Sequence, residues 1–462
     1  MMSATDDDVV RHFARHAAGT TYGALPAAAV EAAKKSILDT LGVILAASGT
    51  EPAVQGVIDL VRETGGRRES TVLAFGHRVP ALTAAFANGA MAHCLDFDDQ
   101  TPWGQHSASS IIPAALAIAE RRGGVSGREM ITAVAVGQDI FARLRRNVGW
   151  RKDWNLSTVL GVFAGTAATA RLLGLTPQGT GHAFGVASMQ SSGVMEVVAG
   201  TGSNLRALYA GFSAKGAVLA ALLANNGVTG VDRLFEGEYG VFNTYFGGEY
   251  DRDAILEGLG QDYQGSTTLY KCWPSVGTSH SHIAATIGIV TEYDLSDQDI
   301  AEIRVHVGDY HDLMCQPLDV RRAPTTLVDA KFSLPFLVAV AAARRDVRIT
   351  DFSREGLRSP DVLAVAQKVV PVVDHSLDWQ QELPLGRVEI VLRDGRRIVR
   401  VGDQVPGNPE APMTWEGLSR KFADCAGAAV APPAGERVEE VVRMARHLED
   451  LDDATELIRL LS

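Results

Sequence analysis

The stretch "STVLGVFAGTAATARLLGL", residues 157–175, decides the fold class of this chain. Apolar and small side chains would cover almost the whole circumference of a helix formed by these residues. In a water-soluble protein, a helix of that kind is surrounded by other elements on all sides. The stretch "GFSAKGAVLAALLANNG", residues 211–227, has the same character. Both patterns predict helices at the centre of a bundle.

Further helices are predicted on both sides of these two stretches. Apolar residues recur every three or four positions in residues 24–48, 81–97, 109–123 and 127–146. Ser126 and Glu129 have the spacing of a capping box, which marks the start of the last of these helices. We therefore expect a helical domain over residues 1–267.

The pattern changes near residue 270. Residues 300–308 alternate between apolar and polar side chains, which is typical of a strand. The stretch "RVEIVLRDGRRIVRV", residues 387–401, predicts a hairpin with Asp394 and Gly395 at its turn. Residues 327–346 predict a helix between these strands.

These elements indicate a smaller α/β unit over residues 268–404. Helical periodicity returns after it, and residues 405–462 are expected to rejoin the first domain. The expected fold class is therefore mainly α, with an α/β unit inserted between the two helical parts.

Composition excludes several classes of partner. The chain has 462 residues, of which 43 are basic and 55 acidic, giving a net charge of −12, and it has no long run of Lys or Arg. Nucleic acid and anionic membranes are therefore not expected partners. The acidic residues 6–8 do not resemble a signal peptide, and the four cysteines form no Cys-x-x-Cys pair. We expect a soluble protein of the cytoplasm.

The stretch "HCLDFDDQTPWGQHSAS", residues 93–109, concentrates titratable groups in apolar surroundings. Asp96, Asp98 and Asp99 would repel one another, and His106 follows after a loop that contains a proline and a glycine. A carboxylate paired with an imidazole suits acid–base catalysis. The alternatives are a solvated helix end with an aspartate as N-cap, a divalent-metal site, or the Asp-x-Asp-Asp motif of class II terpene cyclases.

Two further stretches contain candidate site residues. In "YKCWPSVGTSHSHIAA", residues 270–285, His280 and His282 lie two positions apart at the junction with the α/β unit. They are either site residues or helix-terminal residues that face water. In "GTGSNLRALYAGFSAKGA", residues 200–217, Arg206 and Lys215 flank and enter an apolar helix. Their partner is either an anionic substrate or the acidic stretch.

Six blocks of the sequence, taken in this order, resemble the MmgE/PrpD family, whose members include 2-methylcitrate dehydratase and cis-aconitate decarboxylase. They are "HCLDFDD…HSAS…PAALAIAE", "GTGSNLRALYAGFSAKG", "GVTGVDRLFEGEYGVF", "YKCWPSVGTSHSHIAA", "AKFSLPFLVAVA" and "PMTWEGLSRKF". The resemblance implies a large helical domain from both chain ends, a smaller inserted α/β lid domain and an active site in the cleft between them. It also implies a homodimer and neither a metal nor an organic cofactor.

The resemblance carries three catalytic positions over to this chain, namely Asp96, His106 and His280. The expected substrate-binding set is Arg206, Gln100, Asn155, His282 and Lys215. Four positions depart from the family pattern: Gln100 replaces a threonine, Asn155 a histidine, Arg206 a lysine and Phe336 a tyrosine.

The resemblance implies proton transfer at a carbon next to a carboxylate. We expect a lyase, specifically a dehydratase of a small di- or tricarboxylate similar to 2-methylcitrate dehydratase. In this hypothesis, Arg206 holds a carboxylate, His106 oriented by Asp96 moves the proton, and His280 protonates the leaving hydroxyl. The alternatives are an epimerase or isomerase, a decarboxylase, and a non-catalytic protein that binds carboxylates.

Overall fold

The computed structural model of the protein describes residues 7–200, 203–380 and 382–462. Asp6 of the acidic N-terminal run lies outside the described residues. The chain is mainly helical, with two small sheets. The expected mainly α class is thereby confirmed.

The helices before the larger sheet are α1 Val9–Gly19, α2 Ala27–Thr50, α3 Ala53–Thr64, α4 Ala81–His93, α5 Ala108–Arg122, α6 Gly127–Asn147, α7 Leu156–Leu172, α8 Pro177–Ala187, α9 Glu196–Ala199, α10 Leu205–Leu208, α11 Ala210–Asn225, α12 Val241–Phe246, α13 Arg252–Leu256 and α14 His280–Glu292. The remaining helices are α15 Asp309–Asp312, α16 Leu318–Arg322, α17 Leu327–Lys331, α18 Leu334–Arg344, α19 Pro360–Ala366, α20 Trp415–Gly427, α21 Gly435–Arg446 and α22 Glu456–Leu460. The strands are β1 Ser70–Val72, β2 His77–Val79, β3 Ile300–Val307, β4 Val369–Val373, β5 Arg387–Leu392 and β6 Arg397–Val401.

The two apolar stretches form central helices, as predicted. Every residue of α7 except Arg171 is buried, and α11 packs against α4, α5, α7 and α8. Gly211 allows the close crossing of α11 and α4, since a Cβ there would lie 2.5 Å from the carbonyl oxygen of Phe86. The run Leu205–Asn225 is long and apolar enough to span a membrane, but 61% of it is buried inside the molecule. The core helix of a soluble protein has the same property.

The larger sheet has the strand order β4-β3-β5-β6. β4 runs parallel to β3, whereas β3 with β5 and β5 with β6 are antiparallel pairs. The predicted strand over 300–308 and the predicted hairpin are confirmed, and Gly395 has the positive φ of 88° that its turn requires. The short hairpin of β1 and β2 and the parallel strand β4 were not predicted from the sequence.

The helix predicted over residues 327–346 is in fact two helices, α17 and α18. The break has a local cause. The hydroxyl of Ser333 accepts a hydrogen bond from the backbone N–H of Phe336 at 3.2 Å and so caps a new helix. Pro335 lies in the first turn of α18, where a missing N–H costs nothing.

Two hydrophobic cores lie within the described chain. The first combines residues of α1–α8 and α11 with residues of α20–α22. The second gathers residues of α14, α18 and α19 around β3, β4 and β5. Helices from both ends of the chain thus share one core. The domain boundaries 1–267, 268–404 and 405–462 stay a prediction.

Candidate active site

The acidic stretch forms a buried loop between α4 and α5. The predicted helix over residues 81–97 ends early, at His93, and α5 begins at Ala108. Asp96 has a φ of 51° and Gln105 a φ of 63°, values that residues other than glycine rarely adopt. All three aspartates of the stretch are buried. A solvated helix end is therefore excluded.

Asp96 is held between two cations. Its Oδ2 accepts a hydrogen bond from Nη2 of Arg206 at 3.0 Å, and its Oδ1 accepts one from Nζ of Lys271 at 2.6 Å. Burial alone would raise the pKa of Asp96, but Lys271 and Arg206 hold it well below the usual value. The carboxylate is therefore ionised at neutral pH, and its position is fixed.

Asp98 contacts two histidine rings. Its Oδ2 lies 3.1 Å from Nδ1 of His93 and 3.4 Å from Nδ1 of His106. Asp96, in contrast, lies 3.9 Å from Nε2 of His106, which is too far for a hydrogen bond. The expectation that Asp96 orients His106 is therefore wrong, because the two cations take up the Asp96 carboxylate.

His106 exposes an unprotonated ring nitrogen. Its Nδ1 lies 2.6 Å from the backbone carbonyl oxygen of Asp99. Because that oxygen can only accept a hydrogen bond, Nδ1 carries the ring proton. Burial lowers the pKa of His106 to about 4, so the ring is neutral at pH 7. Nε2 therefore has a free lone pair, which a general base requires.

Asp99 has a structural role at the start of α5. Its carboxylate accepts hydrogen bonds from the hydroxyl of Ser107 at 2.9 Å and from the backbone N–H of Ala108 at 3.1 Å. Burial, with the neighbouring charge of Asp98, raises the pKa of Asp99 to about 7. An N-cap aspartate was one of the open alternatives for this stretch, and Asp99 provides the cap from within the site.

A cleft lined by residues from both cores lies beside this loop. Its polar lining includes His106, Arg206, Gln100, Gln105, Asn155 and Ser157. Its aromatic lining consists of Trp150, Tyr209, Tyr310 and Trp379. Of the residues predicted for the site, His106, Arg206, Gln100 and Asn155 therefore face the same space.

Gln100 and Gly277 join the acidic loop to the second core. Gln100 exchanges backbone hydrogen bonds with Leu269 at 3.0 and 2.8 Å. A Cβ on Gly277 would lie only 1.8 Å from Oε1 of Gln100. The amide of Gln100 thus lies directly on the backbone at Gly277, and both residues line the cleft.

Asn155 caps α7 and keeps a free donor. Its Oδ1 accepts a hydrogen bond from the backbone N–H of Ser157 at 3.1 Å. Its Nδ2 has no hydrogen-bond partner among the described residues, although the side chain is buried. The cleft therefore offers an unused hydrogen-bond donor at this position.

His280 is the first residue of α14 and lies behind the cleft, with its ring 5.2 Å from that of Trp273. Burial lowers the pKa of His280 to about 3. Its Nε2 has no hydrogen-bond partner within residues 7–200, 203–380 and 382–462. A neutral imidazole is a far weaker acid than an imidazolium, so the free protein does not hold His280 ready as a general acid.

His282 lies away from the cleft. Its Nε2 lies 2.9 Å from the backbone carbonyl oxygen of His306, and its ring packs 4.7 Å from that of His311. The expected substrate-binding role of His282 is therefore wrong, because the side chain is enclosed by the second unit.

Lys215 and Phe336 also lie outside the cleft. Nζ of Lys215 lies 5.7 Å from the ring of Phe86 and 5.8 Å from that of Phe212, beside α11. Phe336 is fully buried in the second core. Lys215 is therefore not placed to bind a substrate in the cleft, and the change at Phe336 does not alter the cleft lining.

Sequence analysis missed three residues of this cluster, namely Lys271, His93 and Tyr209. Lys271 is 2% exposed, and His93 packs against the ring of Tyr209 at 4.2 Å. One signal pointed to Lys271, since a lysine directly before "CWPSVG" must find an anion if that apolar segment is buried. His93 and Tyr209 follow apolar helical runs and carry no comparable signal.

His93, Asp98 and His106 also have the geometry to hold a metal ion. One potential ligand atom of each lies within 4.8 Å of the other two. However, Nδ1 of His106 is bound to the carbonyl of Asp99, and Nδ1 of His93 is bound to the carboxylate of Asp98. A metal bound through these two Nδ1 atoms would have to displace both hydrogen bonds.

Comparison with known proteins gives matches along nearly the whole chain. The MmgE/PrpD N-terminal domain matches residues 11–253, and the MmgE/PrpD C-terminal domain matches residues 273–447. Cis-aconitate decarboxylase of Aspergillus terreus (strain NIH 2624 / FGSC A1156) is 28% identical over 95% of this chain and 92% of its own length. Cis-aconitate decarboxylase of Homo sapiens is 24% identical over 98% of this chain and 94% of its own length.

Proposed function

The chain belongs to the MmgE/PrpD family, and from the chemistry of its cleft we propose that it is a lyase that dehydrates a small di- or tricarboxylic acid. In this reaction a proton leaves the carbon next to a carboxylate, and a hydroxyl leaves the neighbouring carbon as water. The two electrons of the broken C–H bond form the new double bond. The proposed reaction uses no cofactor.

The protonation state of His106 carries this proposal. Its Nδ1 proton is held by the Asp99 carbonyl, and its pKa is lowered to about 4, so Nε2 is free to accept a proton at neutral pH. A positioned general base of this kind contributes about 10²- to 10⁴-fold to a rate. The side chain lines the same cleft as Arg206, where the substrate would bind.

Arg206 is the proposed partner of the carboxylate next to the reacting carbon. One of its terminal nitrogens is bound to Asp96, and the other donates to the carbonyl of Val198 at 3.1 Å. Its planar guanidinium also lies 3.6 Å from the ring centre of Phe332, which fixes its orientation. A rigid cation near the carboxylate would stabilise the negative charge that develops as the proton leaves.

Tyr209 is the proposed donor to the leaving hydroxyl. It lines the cleft, and burial raises the pKa of its phenol, which keeps the hydroxyl protonated. The neutral ring of His280 lacks the second proton of an imidazolium and does not line the cleft, so in this proposal the acid role belongs to Tyr209. His280 is retained as a residue that accepts a hydrogen bond through Nε2.

A decarboxylase is the second candidate, and the names of the relatives favour it. The matched proteins of Aspergillus terreus and Homo sapiens are cis-aconitate decarboxylases. Decarboxylation breaks no C–H bond and needs only a proton donor to the carbanion that remains, for which Tyr209 would serve, whereas dehydration also needs the proton acceptor that Nε2 of His106 provides. The site chemistry therefore favours dehydration.

Product analysis separates these reactions. The purified chain would be incubated with citrate, 2-methylcitrate, malate and cis-aconitate, and the products would be followed by mass spectrometry and carbon dioxide release. We expect loss of water from a hydroxy acid. Release of carbon dioxide from cis-aconitate would instead establish the decarboxylase, and deuterium uptake from D₂O without a new alkene would establish an epimerase.

Binding without turnover would identify a non-catalytic carboxylate-binding protein. In that case, a carboxylic acid would raise the melting temperature of the protein and would be recovered unchanged after long incubation. The variant His106→Ala is the control for turnover, since it should bind the acid and leave it unchanged.

We also propose that the protein works in the cytoplasm as a homodimer. Its four cysteines are unpaired, which agrees with a reducing compartment. Sedimentation equilibrium tests the dimer, and a mass of one chain at micromolar concentration would contradict it.

A further inference from the structure

Arg145 is a buried cation without an acidic partner. The residue is fully buried in α6, and its pKa is lowered by burial to about 9, so it remains charged at neutral pH. No aspartate or glutamate of the described residues forms an ion pair with it, and its Nη1 has no hydrogen-bond acceptor among them. In contrast, the guanidinium of Arg143, two residues earlier, is bound to the carboxylate of Asp139 at 3.0 Å.

An unpaired charge in this position is costly, because burial removes water from the guanidinium and no carboxylate replaces it. The two acceptors that Arg145 does have are neutral. Nε donates to Oε1 of Gln105, and Nη2 donates to the backbone carbonyl of Trp103 at 2.6 Å. Within the part of the chain that the structure describes, no side chain therefore neutralises this positive charge.

The neighbours of Arg145 place this charge directly behind the cleft. Gln105 lines the cleft, and so does Trp150, whose ring centre lies 5.3 Å from the Arg145 guanidinium carbon. The backbone at Gln105 has a φ of 63°, and it follows Gly104, with a φ of 75°. The amide of Gln105 thus lies between an unpaired cation and the space in which a substrate would bind.

The two cations nearest the reacting groups are already neutralised in part. Arg206 and Lys271 both bind the carboxylate of Asp96. Together, the two cations and the carboxylate of Asp96 carry one net positive charge. A substrate with two carboxylates adds two negative charges, so one of them has no counter-charge at this pair of cations.

We propose that Arg145 is the specificity residue that binds the second carboxylate of the substrate, and that this carboxylate displaces the amide oxygen of Gln105 from the guanidinium. Without substrate, the guanidinium of Arg145 binds the neutral amide oxygen of Gln105. In the complex, it binds an anionic carboxylate oxygen of the substrate. The site is thereby selective for acids with two or more carboxylates over monocarboxylates of the same length. This inference rests on the proposed function, since it describes the substrate of the same cleft.

Calorimetric titration of the full chain with matched acids tests the proposal. Succinate and glutarate are the dicarboxylates, and butyrate and pentanoate are the monocarboxylates of the same carbon number. Charge-assisted hydrogen bonds of this kind predict that the wild-type protein binds each dicarboxylate about tenfold or more tightly than its matched monocarboxylate. In Arg145→Gln, this preference should fall to about twofold or less.

Two further variants keep the test independent of folding. Gln105→Glu adds a carboxylate of the same shape next to Arg145, so it should raise the melting temperature and abolish the preference for dicarboxylates. Arg146→Gln is the matched control, because Arg146 is exposed at the neighbouring position and only stacks on Trp103. It should keep the full preference.

The outcomes separate this inference from the proposed function. If the wild-type protein prefers dicarboxylates and both Arg145→Gln and Gln105→Glu keep that preference, Arg145 does not bind the second carboxylate, although the lyase proposal stands. A wild-type protein that binds acids without any preference also overturns the inference alone. If none of the four acids binds to the wild-type protein, the proposed carboxylate function fails together with the inference.

Discussion

The protonation of a single ring determines how the proposed reaction depends on pH. In free water a histidine titrates near pH 6.5, but burial lowers the pKa of His106 to about 4. The lone pair of Nε2 is present above that pKa and is lost as the pH falls through it. A histidine base therefore remains available in mildly acidic solution.

We expect the acid limb of the kcat/KM profile to lie near pH 4 to 5 and not near pH 6.5. His106→Ala should lower kcat by about 10²- to 10⁴-fold, because it removes the base. Circular dichroism of the variant checks that the fold is retained. Wild-type turnover in His106→Ala, or an acid limb at pH 6.5 that persists with several substrates, would contradict the assignment.

Burial also shifts the pKa of Asp99, whose carboxyl group caps the start of α5. Its pKa is about 7 in the folded chain, against 3.8 when unperturbed. Between these values the folded protein binds more protons than the unfolded chain, so the stability that the protonated group contributes is lost as the pH rises from about 4 to 7. The limiting slope for one such group is about 1.4 kcal/mol per pH unit.

Asp99→Asn should therefore be more stable relative to wild type at pH 8 than at pH 5. The amide keeps the oxygen that accepts from Ala108 but cannot ionise. Urea unfolding at pH 5, 6, 7 and 8 measures the difference. A difference between variant and wild type that is constant across this range would show that Asp99 does not titrate there.

At the scale of elements, the join between Gln100 and Gly277 sets the shape of the cleft. A methyl group on Gly277 would overlap the Gln100 amide, because its Cβ would lie 1.8 Å from Oε1. Gly277→Ala should therefore push the amide aside and raise KM by about tenfold, with a smaller effect on melting temperature. The double variant Gly277→Ala with Gln100→Ala should recover part of the loss, since the overlap is gone. An unchanged KM in the single variant would contradict this account.

The central helices could be predicted because apolar side chains cover almost their whole circumference, and the strands β3, β5 and β6 because apolar and polar side chains alternate along them. The strand β3 and the hairpin of β5 and β6 follow from alternation and from the Asp394-Gly395 turn. The end of α4 at His93 comes just before Asp96, whose φ is 51°, and the break between α17 and α18 depends on the cap that Ser333 provides. Both features depend on local backbone conformation and hydrogen bonding, which the periodicity of apolar residues does not determine.

The site was predictable in part for a similar reason. Asp96, His106 and Arg206 stand in dense, recognisable stretches; His106 and Arg206 line one cleft, and Asp96 is bound to Arg206. The pairing of Arg206 with the acidic stretch was one of the open alternatives, whereas the pairing of Lys271 with Asp96 was not predictable, because it depends on how the two cores meet. Lys215 lies on the side of α11 that is not buried, and a nearly uniform apolar pattern does not show which side that is.

At the scale of the whole molecule, a few buried ion pairs join segments that are far apart in the sequence. Nζ of Lys331, at the end of α17, lies 3.2 Å from Oε2 of Glu51, which follows α2. It also donates to the backbone carbonyl of Cys94 at 3.2 Å, two residues before Asp96. Both side chains of the pair are almost fully buried. This contact links the second unit to the acidic loop and to the first core.

Breaking this pair should weaken the whole fold and disturb the site together. Lys331→Met leaves the Glu51 carboxylate buried without its cation, and loss of one partner of a buried pair costs about 3–5 kcal/mol. The double variant Lys331→Met with Glu51→Gln removes both charges and should regain most of that stability. Urea unfolding of the wild type, the two single variants and the double variant measures the coupling as a double-mutant cycle. Single variants that each cost less than about 1 kcal/mol would mean that the pair does not hold the units together. The shape of the unfolding curve is a second readout. We expect a single unfolding transition in the wild type and two transitions in Lys331→Met, because the two units would then unfold separately.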